Sequence, residues 1–107
     1  IKYMKIAITS TGNDLNSEFD QRFGRCSWFC VYDNETGQAE FIKNEHAEAQ
    51  GGAGTKASQK MIELGVERVI SGDFGPKAKE ILEKFDIQMV ILPDGPKIIS
   101  EIIDTIQ

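Results

Sequence analysis

From Ala53 to the end the chain alternates helix-like and strand-like segments, and that alternation limits the possible folds most sharply. Ala53 to Leu64 predicts a helix, because Ala57, Met61 and Leu64 recur at i, i+4 and i+7 and form one apolar face. Gly65 stops it, with Val66 placed to fold back on the last turn. Glu67-Arg68-Val69-Ile70-Ser71 predicts a strand. Pro76 then sits where a first helical residue needs no N–H, and Ala78, Ile81, Leu82 and Phe85 give that helix a buried face. Gln88 to Leu92 is the next strand. Pro93-Asp94-Gly95-Pro96 repeats the helix-start chemistry before a last helix with a stripe of Ile99, Ile102, Ile103 and Ile106. Strands separated by helices lie parallel in one sheet, with helices covering its faces.

The first half has a different rhythm. Lys5-Ile6-Ala7-Ile8-Thr9 is short, apolar and β-branched, as in a buried strand. Trp28 to Asp33 and Gln38 to Lys43 are two further strands around a turn at Asn34-Glu35-Thr36-Gly37, which makes a hairpin. The segment from Asp14 to Ser27 is polar and long for a connection, a length common in functional or mobile loops. The order is therefore βββαβαβα. The expected architecture is a three-layer α/β/α domain with a five-stranded mixed sheet, spatial order 3-2-1-4-5, strand two antiparallel.

This order has a geometric consequence. It brings Ser10-Thr11-Gly12, Asp20–Cys26, Asn44–Gly54, Gly72–Gly75 and Pro93-Asp94-Gly95 to one rim, the carboxyl edge of the parallel strands. Open α/β sheets bind ligands at that edge. Helix N-termini point there too, and their free N–H groups suit anions. A hairpin forming a separate layer would break the convergence.

A chain of 107 residues is one domain in size and buries a core without staples. Seventeen acids against 12 bases give a net charge of −5, which speaks against broad nucleic-acid or anionic-membrane binding. No run has the length of a membrane span. Ile1-Lys2-Tyr3 reads as a remnant ahead of Met4, so the expected domain is 4–107. Two cysteines, Cys26 and Cys30, make no secreted framework and fit a reducing cytoplasm.

Several local motifs carry chemistry of unequal weight. Gly52-Ala53-Gly54-Thr55-Lys56-Ala57 fits G-x-G-x-x-A, and Asp73 follows about 20 residues on, as in dinucleotide sites. A long loop replaces the tight strand–turn–helix that motif needs, so a flexible helix start or an anion nest competes with it. Asp73-Phe74-Gly75 is a strand-to-helix turn; nothing else of a kinase accompanies it. Cys30 alternates with Trp28 and Tyr32 on a strand and reads as a core residue. Cys26 lies in a loop beside Arg25, where positive charge favours the metal-ligating thiolate. His46, the one histidine, lies on the same rim and could be one ligand of a labile site. Two such ligands do not close a zinc or iron–sulfur site. Asp14, Glu18, Asp20 and Asp73 offer no acid–base pair that the sequence singles out.

Together, "MKIAITS", "RFGRC", "VYDNETGQ", "GGAGTKASQ" and "VISGDFGPKAKEIL" resemble the dinitrogenase iron–molybdenum cofactor biosynthesis family, of the NifX/NafY and NifB C-terminal-domain type. They occur in the family's order and cover nearly the whole chain from Met4. The resemblance implies a ribonuclease-H-like fold without nuclease activity, and a cytoplasmic carrier rather than an enzyme. It implies transient binding of an iron–sulfur or iron–molybdenum-type cluster, exchanged with donor and acceptor proteins. A homo-oligomer stays open. Where nitrogen-fixation members carry a histidine just before Phe-Gly, this chain has Arg22, which would supply charge in place of an imidazole. The expected cofactor-binding residues are Arg22, Phe23, Gly24, Arg25, Gly52, Gly54, Asp73 and Gly75, with Cys26 and His46 as metal ligands. The alternatives are a small-anion or nucleotide binder and a regulatory interaction domain, both using the same rim.

Overall fold

A computed structural model gives the protein's structure and describes residues 1–92 and 97–106. The helix start expected at 93–96 lies outside the described residues. The elements are β1 (Lys5–Ser10), β2 (Trp28–Asp33), β3 (Gln38–Lys43), α1 (Ala53–Glu63), β4 (Val66–Ser71), α2 (Pro76–Lys84), β5 (Gln88–Ile91) and α3 (Ile99–Thr105). The sheet order is β3-β2-β1-β4-β5, as expected. β2 is antiparallel to both β1 and β3, while β4 is parallel to β1 and to β5.

Side-chain alternation along the strands separates two cores. Ala7, Phe29, Val31 and Val69 face α1 and α2, where Ala57, Met61, Ala78 and Leu82 cover them. Ile6, Ile8, Cys30, Tyr32 and Ile70 face the other way, under Ile99, Ile102 and Ile103 of α3. Two helices on one face and one on the other make the three-layer α/β/α arrangement. Cys30 is fully buried between Tyr32 and α3, the core role its alternation suggested. Phe85 departs from expectation. It is 52% exposed, because α2 ends at Lys84 and Phe85 already belongs to the C-cap.

The hairpin turn is closed by Gly37 N–H donating to Asp33 O at 2.8 Å. Asp33 Oδ1 also accepts from Glu35 N–H at 2.9 Å, an Asx turn. At the other end of the sheet, the long segment after β1 is tied down rather than loose. Asp20 N–H donates to Thr9 O at 3.0 Å, Phe19 N–H to Lys97 O at 2.8 Å and Ile99 N–H to Ser17 O at 3.0 Å. The segment thus stitches the top of β1 to the start of α3. Beneath it lies a buried polar layer. The Thr9 hydroxyl donates to Asp20 O and contacts Ser71 Oγ at 2.9 Å, and Ser71 Oγ donates to Gln21 O at 3.3 Å. Every group in that layer has a partner, which a buried hydroxyl requires. The layer fixes where residues 20–22 cross the sheet.

Candidate functional site

The site is built where three rim segments meet. Phe23 N–H donates to Asp73 O at 3.4 Å, which joins the 20–26 segment to the loop after β4. Asn44, 7% exposed, donates through Nδ2 to Gly24 O at 3.0 Å and to Cys26 O at 2.8 Å, which joins it to the loop after β3. Gly24 lies directly against the start of α1. A Cβ added there would stand 2.8 Å from Gly54 N, 2.9 Å from Gly54 Cα and 3.1 Å from Ala53 C. These are backbone atoms, so only glycine fits without moving the chain. Small residues also bring the two helices together: a Cβ at Gly54 would lie 3.5 Å from Ala78 Cβ, an ordinary contact.

The result is a groove of about 410 Å³ between the N-termini of α1 and α2. All eight expected cofactor-binding residues line it: Arg22, Phe23, Gly24, Arg25, Gly52, Gly54, Asp73 and Gly75. Phe23, 2% exposed, lines one side of it. Phe23 packs against Phe74 at 5.1 Å and Phe29 at 6.1 Å between ring centroids. Both helix N-termini arrive without a side-chain cap. The N-cap of α1 is Gly52 at φ 73°, a conformation that disfavours side chains. The N-cap of α2 is Gly75, followed by Pro76. Uncapped N-terminal N–H groups carry partial positive charge, and here two sets share one groove.

Five further residues complete the lining: Ala53, Thr55, Pro76, Lys77 and Ala78. Lys77 was the legible one. A lysine at the second helical position after Gly75-Pro76 must sit at the mouth of any site built on that N-terminus. Arg25, Lys77 and Asp73 all line the groove, and Arg22 is balanced by Asp20, so the groove is locally cationic in a chain of net charge −5.

Three of the expected residues stand differently from what their sequence neighbours suggest. Cys26 lies in the loop before β2, but its side chain is in the core. It is fully buried, its Sγ donates to Phe23 O at 3.3 Å, and burial pushes its pKa up to about 12, the Asp20 carboxylate adding to the shift. Arg25 does not activate it, because its guanidinium turns away to donate to Ala47 O at 3.1 Å and to Ala49 O. His46 does not join the groove; it lines a second cavity on the far side of α1. Finally, Arg22 is not a free charge. Its Nε and Nη2 hold Asp20 at 3.1 and 3.0 Å, and hydrogen bonding and charge from Asp20 raise its pKa. Among the described residues, no group of three His, Cys, Asp or Glu side chains could hold a metal ion. The groove offers hydrogen-bond donors and cations, not a ligand set.

No helix among the described residues is long and apolar enough to cross a membrane. An uncharacterized protein of Methanocaldococcus jannaschii is 30% identical over 92 residues, 83% of this chain and 75% of that protein. The apo form of the orange protein from Desulfovibrio gigas has a similar structure, with a TM-score of 0.89 and 29% identity over 98% of this chain and 88% of that one. A proposed NifB protein of Thermotoga, assigned to the DUF35 family, has a TM-score of 0.82 and 33% identity over 96% and 86%. The family model described as "Dinitrogenase iron-molybdenum cofactor" matches residues 4–107. The chain belongs to the dinitrogenase iron–molybdenum cofactor family.

Proposed function

We propose that this protein is a non-enzymatic cytoplasmic carrier that takes an anionic metal–sulfur cluster, of iron–sulfur or iron–molybdenum-precursor type, from a donor protein and passes it to an acceptor. The observation that carries this reading is the convergence of two uncapped helix N-termini on one groove with Arg25 and Lys77. Such a cluster brings its own sulfides and a net negative charge. Backbone N–H groups donate to the sulfides, and the helix N-termini and ammonium and guanidinium groups balance the charge. Phe23, buried and packed on Phe74, gives the groove an apolar side. A cargo held by hydrogen bonds and charge leaves without breaking a protein–metal bond, which suits transfer.

The groove also holds Gly52, Ala53, Gly54, Thr55 and Asp73, so a nucleotide or other small anion is the second reading. A purely regulatory interaction domain would bind neither.

The test is anaerobic incubation with iron and sulfide, or with tetrathiomolybdate, followed by desalting and absorption spectroscopy. The expected result is a retained charge-transfer band that survives Cys26→Ala and is lost in the double variant Arg25→Gln, Lys77→Glu. A band that disappears in a folded Cys26→Ala protein, or no retained band at all, rejects the proposal. Thermal stabilisation by nucleotides without metal would favour the second reading.

A further inference from the structure

The second cavity, about 350 Å³, lies between α1 and the end of β3 and shares no residue with the groove. It exists because β3 is the sheet's edge strand and lies outboard of the helices. Helix α1 turns a second, polar stripe toward it. Lys56, Gln59, Lys60 and Glu63 follow the i, i+3, i+4, i+7 spacing of one helix face. Lys43 and the loop residues Asn44, Glu45 and His46 form the opposite wall.

Three features give this cavity a binding character. Three of the chain's lysines, Lys43, Lys56 and Lys60, converge on it. None of them makes an ion pair or side-chain hydrogen bond among the described residues, although Glu45 and Glu63 stand on the same walls. The rim is also fixed in place. Asn44 is nine-tenths buried, anchored to Gly24 O and Cys26 O, and its Oδ1 accepts from His46 N–H at 3.2 Å. Ammonium groups bind oxyanions as point charges. Carboxylates and side-chain amides beside them accept from and donate to hydroxyls. A pocket of this volume fits a small metabolite.

We infer that this cavity is a second binding site, independent of the groove, for a small hydroxylated oxyanion, either a sugar phosphate or a hydroxycarboxylate. The lysines hold the anionic group, and Glu45, Glu63 and Gln59 hold its hydroxyls. Both ligand sources share this chemistry.

Calorimetric titration of the full chain with fructose 1,6-bisphosphate, tartrate and sulfate tests the inference. Saturable binding of either hydroxylated probe, stronger than sulfate, is expected. The tighter of the two identifies phosphate or carboxylate as the natural group. The double variant Lys56→Gln, Lys60→Gln should weaken that binding by about tenfold or more. The control Lys79→Gln, Lys84→Gln on α2 makes the same change in net charge and should leave affinity within about twofold. The groove variant Arg25→Gln, Lys77→Glu should also leave it unchanged. Equal weakening by the control or groove variant, sulfate binding as tightly as both probes, or no saturable binding at millimolar concentration would overturn the inference. These readouts use no metal cluster, so they stand or fall apart from the groove's cargo.

Discussion

Replacing Gly24 by alanine probes the contact that shapes the groove. The new methyl would sit 2.8 to 3.1 Å from three backbone atoms of Ala53 and Gly54, closer than carbon packing allows. No rotamer change relieves a clash with backbone, so the 20–26 segment must lift away from α1. Overpacking of this kind costs about 1–3 kcal/mol. Alanine's lower freedom in the unfolded chain returns about 0.4–1 kcal/mol, leaving a net loss centred on about 1.3 kcal/mol and at most about 2.6. For a domain of this size each kcal/mol lowers Tm by about 4–8 °C. Urea denaturation with an unchanged slope would measure it. Gly75→Ala is the control: φ is −67° there and a Cβ meets nothing within 4 Å, so stability should stay level or rise slightly. If Gly24→Ala were as stable as Gly75→Ala, the segment would not rest on α1 as described. The same variant should lose the absorption band of the retained cluster while remaining folded, because lifting the segment separates Arg25 from the helix N-termini.

Four further outcomes follow from where the thiols and arginines lie. Both thiols are buried with pKa pushed up to about 12, so neither should react with a thiol reagent in native protein at pH 8; rapid labelling of Cys26 would contradict its placement. The unfolded state releases those protons near pH 9 and the native state keeps them, so stability falls as pH rises from 9 toward 12. Cys26→Ala should make that fall shallower by roughly 1 kcal/mol per pH unit, and an unchanged slope in denaturation curves would count against it. Removing the charge of Arg22 with Arg22→Gln leaves the carboxylate of Asp20, 5% exposed, without its guanidinium; a loss of about 1–2 kcal/mol is expected, and Asp20→Asn, Arg22→Gln together should recover part of it in a double-mutant cycle. Arg25→Gln should cost under about 1 kcal/mol globally yet speed amide exchange across residues 45–51, since Arg25 holds the carbonyls of Ala47 and Ala49; unchanged exchange would show that the loop is held otherwise.

The strand order and the rim were legible because periodicity reports them directly: a helix between two strands forces parallel pairing, and a short turn forces a hairpin. The groove's backbone members followed from that geometry. What the sequence hid was where charges and thiols spend their interactions. Arg22 meets Asp20 two residues away, a pairing that adjacency hinted at but did not require. Arg25 meets carbonyls 22 and 24 residues distant, and backbone acceptors leave no trace in composition. Cys26 reads as a loop thiol beside the positive charge of Arg25, yet the crossing of residues 20–26 over the sheet turns its side chain inward beside Phe23. His46 shares the rim in sequence order but stands across α1 in space. Lys77 is legible from its place directly after Gly75-Pro76, in the first turn of α2.

The account rests on an anionic cluster docking between the N-termini of α1 and α2. Amide chemical shifts of isotope-labelled protein, followed during anaerobic titration with tetrathiomolybdate, test that most directly. The predicted result is saturable movement of the N–H signals of Gly24, Gly54, Thr55, Lys77 and Ala78, with those of α3 and of Lys60 unmoved. Shifts confined to Cys26, His46 or α3, or no saturable shift anywhere, would contradict the claim.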